Sequence, residues 1–129
     1  MRILVVDDDT RLTELLQLVF ESRGFGVTIA HSGEQAMASL GKELPEAILL
    51  DLMMPGMSGL EVCRLVRADP RTSNIPIVVL TARFDVEMKR EVMEAGATEY
   101  LTKPLRPSEL INCIREVVIH SAVPVKVLT

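Results

Sequence analysis

Four places in the 129-residue chain carry side chains suited to one kind of chemistry. They are the run Asp7-Asp8-Asp9, then Asp51, then Thr81, then Lys103 before Pro104. A carboxylate is a nucleophile and a hard oxygen ligand. A hydroxyl donates a hydrogen bond, and an ammonium neutralises anionic oxygens. Carboxylates brought together repel, by about 4 kcal/mol for two charges ~4 Å apart at an effective dielectric of 20. Such a cluster must take up protons or a cation. Mg²⁺ prefers carboxylate oxygens and water, and is usually held by one or two carboxylates together with phosphate oxygens. A magnesium–phosphoryl site is the chemistry these residue types suit, with Lys103 and Thr81 addressed to the phosphoryl oxygens. Each residue alone also has an ordinary reading. An aspartate after a strand often only caps a helix, Asp9 above all. Threonine favours strands, and a lysine before proline is commonly a solvated loop residue. The ordinary readings lose ground only if one fold gathers all four places.

The elements needed for that gathering can be read along the chain. Arg2–Val6 is a short apolar run of buried-strand type. Asp9 can cap a helix whose apolar positions are Leu12, Leu15, Leu16, Val19 and Phe20, the stripe of an amphipathic helix. Gly24 stands where a helix-ending glycine belongs, and Phe25–Ala30 reads as the second strand. Ser32 with Gln35 is a capping-box pair opening a second helix. Glu46–Asp51 contains Ala-Ile-Leu-Leu, with no polar alternation, as in strands buried on both faces of a parallel sheet. Ser58 with Glu61 opens a third helix that ends near Asp69-Pro70. Pro76–Thr81 is the fourth strand, Asp85 through Ala95 a helix closed by Gly96, and Glu99–Thr102 a short fifth strand. Pro107 suits a first helical position, and Leu110, Ile111, Ile114, Val117 and Val118 share a face of the last helix. Five strands alternating with five helices predict a parallel sheet covered on both sides. In such sheets ligands bind outside the carboxyl ends of the strands. Asp7, Asp51, Thr81 and Lys103 all stand at or just beyond those ends.

Composition narrows the class. The length suits one domain, and 48% apolar residues are ample for a core. No run approaches the ~18 apolar residues of a spanning helix. Met1 leads almost directly into the first strand, so no signal peptide is expected. Cys63 and Cys113 fall in helix-like segments and read as free thiols rather than a disulfide or metal pair. Together these point to the cytoplasm. The net charge of −4, with no basic stripe and little aromatic surface, argues against direct nucleic-acid contact. There is no P-loop, and Gly24-Phe25-Gly26 lacks the rest of a dinucleotide fingerprint, with Ile at 29. His31 and His120 have no ligand-like neighbours in sequence and read as surface residues. Met53, Met54 and Met57 read as flexible packing around a loop.

The chain resembles the receiver domains of two-component response regulators. The likeness rests on Val-Val-Asp7-Asp8, on Leu-Leu-Asp51-Leu-Met-Met-Pro55-Gly-Met-Ser-Gly59, on Leu-Thr81-Ala82, on Gly96-Ala97, and on Tyr100-Leu-Thr-Lys103-Pro104. Each motif alone is common; all of them in this order and spacing are specific. The resemblance covers residues 1–120, leaving 121–129 as a tail or the start of a linker to an output domain. It implies a flavodoxin-like, doubly wound α/β fold with sheet order 2-1-3-4-5. Asp51 would be the phosphoacceptor. Asp7 and Asp8 would hold Mg²⁺ together with Asp51 and the backbone carbonyl of Met53, which leaves the Met53 side chain free to vary; Mn²⁺ could substitute. Lys103 would neutralise the phosphoryl group, with a cis bond to Pro104. Thr81 would bond a phosphoryl oxygen, and Tyr100 would turn inward as Thr81 moves. Met53 and Arg83 would flank the route of the hydrolytic water.

The implied activity is a self-phosphorylating and self-dephosphorylating switch, not a turnover enzyme. The donor would be phosphohistidine on a sensor histidine kinase or phosphotransfer protein. The read-out face would be residues 85–120, with Lys89, Arg90, Glu94, Glu99, Arg115 and Glu116 exposed toward an output domain or downstream protein. Dimerisation through that face stays open, because the last helix has no strong matching charge pattern. Leu105 departs from the family's usual Phe, with no consequence for the site. A rival is an aspartyl-phosphate phosphatase, but Arg11 stands where its Asp-x-Asp-x-[Thr/Val] motif needs Thr or Val. A flavin-type binder would need ring-binding loops, which are lacking. The remaining alternative is a pseudo-receiver, an interaction domain that is not phosphorylated in use.

Overall fold

A computed structural model of the chain describes residues 1–122. It contains β1 (Arg2–Val6), α1 (Thr10–Ser22), β2 (Gly26–Ala30), α2 (Gly33–Leu40), β3 (Ala47–Leu50), α3 (Gly59–Ala68), β4 (Ile77–Thr81), α4 (Val86–Glu94), β5 (Glu99–Thr102) and α5 (Pro107–Ala122). The five strands form one parallel sheet in the order β2-β1-β3-β4-β5. The fold is therefore the doubly wound one expected. The tail expected over 121–129 lies almost wholly outside the described residues.

Side-chain alternation along β1 explains the two-sided core. Ile3 and Val5 point to one face and Leu4 and Val6 to the other, and all four are at most 1% exposed. The first face packs with Leu49, Val78 and Leu80 against Leu16 and Phe20 of α1 and Leu110, Ile111 and Ile114 of α5. The second packs with Ile48, Leu50, Ile77 and Val79 against Ala36 and Leu40 of α2, Val62 and Val66 of α3 and Val92 of α4. Each such side chain contributes about 1.5–3 kcal/mol of burial free energy.

The caps expected at Asp9, Ser32 and Ser58 form, and Asp85, expected as the first residue of its helix, stands just before it as a cap. Asp9 accepts from the Arg11 and Leu12 amides, Ser32 from Gln35, Ser58 from Glu61, and Asp85 from Glu87 and Met88. Gly24 ends α1 in the left-handed region at φ +87, with the Phe25 amide reaching back to the Phe20 carbonyl. Two expectations need correction. Leu15 belongs to the apolar stripe of α1 but is 53% exposed, while Thr13 is buried in its stead. The stripe is wider than the surface the sheet offers, and Thr13 meets its polar need by bonding the Thr10 carbonyl. The strands also begin one residue later than expected at Phe25, Glu46 and Pro76, and the third ends at Leu50 instead of Asp51.

Candidate functional site

The sheet register assembles the site. Val6 pairs with Leu50, so the next residue on each strand, Asp7 and Asp51, leaves the sheet side by side. Their amides still belong to the sheet's edge: Asp7 donates to the Ala30 carbonyl and Asp51 to the Val6 carbonyl. Thr81 pairs with Thr102, and Lys103 follows, donating its amide to the Thr81 carbonyl. All four places expected to meet do so on one rim.

Asp7 and Asp51 are buried, while Asp8 is exposed at the mouth. Carboxylate oxygens from the three lie within 4.8 Å of one another. Lys103 Nζ is 3.0 Å from Asp7 Oδ2. The other Asp7 oxygen accepts from the Asp9 amide at 3.0 Å. Asp51 Oδ1 accepts only a long bond, 3.4 Å, from the Met53 amide. Burial, and after it the Asp7 charge, push the Asp51 carboxyl from 3.8 up to about 6; Lys103 and the Met53 amide pull it down, and Asp8 pushes it up. Asp51 is thus a buried carboxylate with little hydrogen bonding of its own, and a cation beside it would favour its charged form.

Two further features fit a divalent ion and an anionic oxygen at this place. The donor set is all oxygen, as Mg²⁺ requires, and opposite ligands of that ion stand about 4.2 Å apart at ~2.1 Å bonds. Thr81 Oγ1 is buried and has no hydrogen-bond partner among the described residues. A buried hydroxyl without a partner costs about 1–3 kcal/mol, so the site is built for a group that brings one.

The surroundings explain how the loops reach this arrangement. Gly59 opens α3 so close to β3 that a Cβ there would stand 2.6 Å from the Asp51 carbonyl oxygen and 2.7 Å from Leu52 Cα. Lys103–Pro104 is cis, as the resemblance implied. Tyr100 lies inward, 9% exposed, with its hydroxyl donating to the Arg83 carbonyl at 2.9 Å and its ring edge-on to Phe84. Burial raises its phenol above the ordinary value. Met53 is 52% exposed, and Arg83 is exposed. Lys89, Arg90, Glu94, Glu99, Arg115 and Glu116 are all exposed. Cys63 and Cys113 are free thiols, the first buried and the second half-buried.

Sequence reasoning missed one neighbour. His31 is exposed as expected, yet its Nδ1 lies 3.1 Å from the Asp7 carbonyl oxygen. The β1–β2 register, Val6 against Ala30, places the residue after β2 beside Asp7, and would have found it. His120 is exposed, away from these contacts.

The family model described as "Response regulator receiver domain" matches residues 3–115. The chain belongs to the response-regulator receiver-domain family. As a receiver domain it is 45% identical over 114 residues to the DNA-binding response regulator MtrA of Mycobacterium tuberculosis, covering 88% of this chain and 49% of MtrA. The chain thus spans about half the length of the curated relatives it matches. The chemotaxis protein CheY4 of Vibrio cholerae superimposes with a TM-score of 0.86 at 31% identity, covering 90% of this chain and 97% of that one. The receiver domain of sensor histidine kinase PA1611 from Pseudomonas aeruginosa superimposes with a TM-score of 0.84 at 29% identity, covering 91% and 96%. That domain carries a magnesium ion coordinated in its active-site cleft. Among the described residues no helix is long and apolar enough to cross a membrane.

Proposed function

We propose that this receiver domain takes a phosphoryl group onto Asp51 from phosphohistidine on a sensor histidine kinase or phosphotransfer protein. The observation that carries the reading is the buried, poorly hydrogen-bonded Asp51 carboxylate beside two further acids, a lysine and an orphaned hydroxyl. Asp7, Asp8, Asp51 and the Met53 carbonyl would hold Mg²⁺, with Mn²⁺ as a substitute. The ion supplies charge neutralisation and a template for the phosphoryl oxygens.

The chain's own residues do the rest. Asp51 attacks phosphorus in line, the phosphorus–oxygen bond to its carboxylate forms, and the bond to the donor imidazole breaks. Positioning and charge supply most of the catalysis, since little covalent chemistry falls to the protein. Lys103 exchanges its contact with Asp7 for the new phosphoryl oxygens. Thr81 gains the partner it lacks. Tyr100, expected to turn inward only as Thr81 moves, is already inward on the Arg83 carbonyl while Thr81 lacks its partner, so its position does not depend on that shift. Hydrolysis of the acyl phosphate, past Met53 and Arg83, resets the switch, so the domain is not a turnover enzyme.

An apolar groove of about 400 Å³ opens beside Lys103, lined by Leu12, Leu15, Leu16, Pro104 and Leu105 among others. It would offer a donor protein an apolar seat beside Lys103, with Leu15 on its wall. The read-out passes through residues 85–120 to an output domain or downstream protein, in the cytoplasm. Nucleic-acid contact would fall to that partner and not to this acidic domain. The pseudo-receiver alternative is not favoured, because Asp8, Asp51, Thr81 and Lys103 all stand in place.

The test is intact-mass measurement after incubation with a small-molecule phosphodonor and Mg²⁺. One phosphoryl group should be gained, and none without the metal. Failure with two unrelated donors, on folded protein, would return the pseudo-receiver reading.

A further inference from the structure

Arg67 stands apart from the other cations. It lies in the last turn of α3, half-buried, and every partner of its guanidinium is a backbone carbonyl. Nε donates to Gly96 at 2.9 Å, and one terminal nitrogen donates to Ser73 at 3.1 Å and Ile75 at 2.7 Å. None of the ion pairs among the described residues includes it. Its charge is thus spent on three loop carbonyls, at a burial cost that lowers its pKa.

The Gly96 carbonyl belongs to the turn that ends α4. Ala95, the C-cap of that helix, accepts a weak bond from Cys63 of α3 at 3.6 Å. The Gly96 and Ala97 amides close the helix by reaching back to Met93 and Val92. Gly96 has φ +113, and a Cβ there would stand 2.6 Å from Arg67 Cγ. The arginine is packed directly over the turn. A cation at a helix C-terminus also complements the helix dipole.

The other end of α4 is held differently. The only fully buried residue of the helix is Val92, in its last turn; Met88 is half-buried and Val86 is 67% exposed. The loop before it, residues 82–84, is exposed and meets the body through the Tyr100 hydroxyl on the Arg83 carbonyl and the edge-on contact of Phe84 with the Tyr100 ring. That loop follows Thr81. So α4 is fastened where it leaves the site and loose where it meets it.

We propose that Arg67 is a positioning residue that makes the C-terminal end of α4 a fixed pivot. Phosphorylation at the opposite rim is then expressed as a tilt of the loose N-terminal half of the helix. The proposal rests on the phosphorylation reading above. Without the pin, the same event at Thr81 would spread through the whole helix and the α4–β5 turn. The read-out surface would lose its definition while the acceptor chemistry stayed intact.

The experiment is amide hydrogen exchange on the full chain, with and without phosphodonor and Mg²⁺, for wild type, Arg67→Met and Arg67→Lys. Phosphoryl gain is followed by mass in the same samples. In wild type the phosphorylation-dependent change falls on residues 82–91, with Gly96 and Ala97 shifting less than about twofold. In Arg67→Met those two amides exchange about tenfold or more faster, the loss expected for a charged hydrogen bond. The phosphorylation-dependent change then extends to them. Arg67→Lys keeps the charge without the fork and falls between, and it decides alone if the methionine variant unfolds. A merely structural arginine would raise exchange equally in both states and leave the difference confined to 82–91. That result, with phosphoryl gain intact, overturns the pivot alone. Absence of phosphoryl gain in the wild type overturns the underlying reading, and the pivot with it.

Discussion

Asp51→Asn should stabilise the metal-free protein at neutral pH, although it removes the proposed phosphoacceptor. The Asp51 carboxyl is pushed from 3.8 up to about 6, first by burial and next by the Asp7 charge. At about 1.4 kcal/mol per pH unit, ionising it in the folded protein costs about 3 kcal/mol more than in the unfolded chain. Because the folded value lies above the unfolded one, the folded state binds this proton more tightly. The stability so conferred is complete below about pH 4 and is lost as pH rises through about 6. Asparagine keeps an oxygen for the Met53 amide and carries no charge, so it escapes the loss. For a chain of this length, a gain of up to 3 kcal/mol corresponds to roughly 10 °C in melting temperature. The assay is thermal unfolding in chelator from pH 4 to pH 8. The variant should match the wild type at pH 4 and exceed it at pH 8. Added Mg²⁺ should close the gap from the wild-type side, since a ligand of the folded state stabilises it by mass action. Equal melting temperatures at pH 8 in chelator would refute the reasoning, as would a gain of the same size at pH 4.

Three further outcomes follow from single contacts. Thr81→Val removes a buried hydroxyl that has no partner, so stability should rise by ~1 kcal/mol in denaturant titration. The variant should still gain the phosphoryl group by mass, while the exchange response over residues 82–91 is lost. Lys103→Met strands Asp7 Oδ2, now 3.0 Å from the ammonium and buried. It should cost about 1–3 kcal/mol in chemical unfolding and slow phosphoryl gain by about tenfold or more, equivalent to ~1.4 kcal/mol in the barrier. Gly59→Ala places a Cβ 2.6 Å from the Asp51 carbonyl oxygen, where only backbone could give way. It should lower stability by about 3 kcal/mol and, by moving Asp51, weaken Mg²⁺ binding measured by calorimetry.

The parts of the fold that repeat a local rule were legible in the sequence. Asp9, Ser32 and Ser58 cap helices because capping depends on a few adjacent residues. The unbroken Ala-Ile-Leu-Leu before Asp51 marks a strand buried on both faces, and it lies at the sheet's centre. The site followed from placing Asp7, Asp51, Thr81 and Lys103 at strand ends. What escaped depends on distant partners. Leu15 repeats the helical period as well as Leu16 does, and only the extent of the opposing sheet and α5 decides that it stays exposed. The Arg67 contacts are all to carbonyls, which every residue possesses, so no spacing of side chains announces them. The same holds for the Tyr100 hydroxyl on the Arg83 carbonyl. That Asp51 is 7% exposed and poorly hydrogen-bonded, while Asp8 stays in solvent, is a matter of loop packing that carboxylate spacing does not encode.

Asp51, and no other carboxylate of the cluster, is the residue proposed to accept the phosphoryl group. The direct measurement is to treat the Mg²⁺- and phosphodonor-incubated protein with borohydride, which reduces an acyl phosphate to an alcohol, and to map the reduced residue by peptide mass. Homoserine is expected at position 51 and at no other aspartate, with none formed when Mg²⁺ is withheld. Reduction at Asp7 or Asp8 in place of Asp51, or a phosphoryl group stable to borohydride on a different side chain, would contradict it.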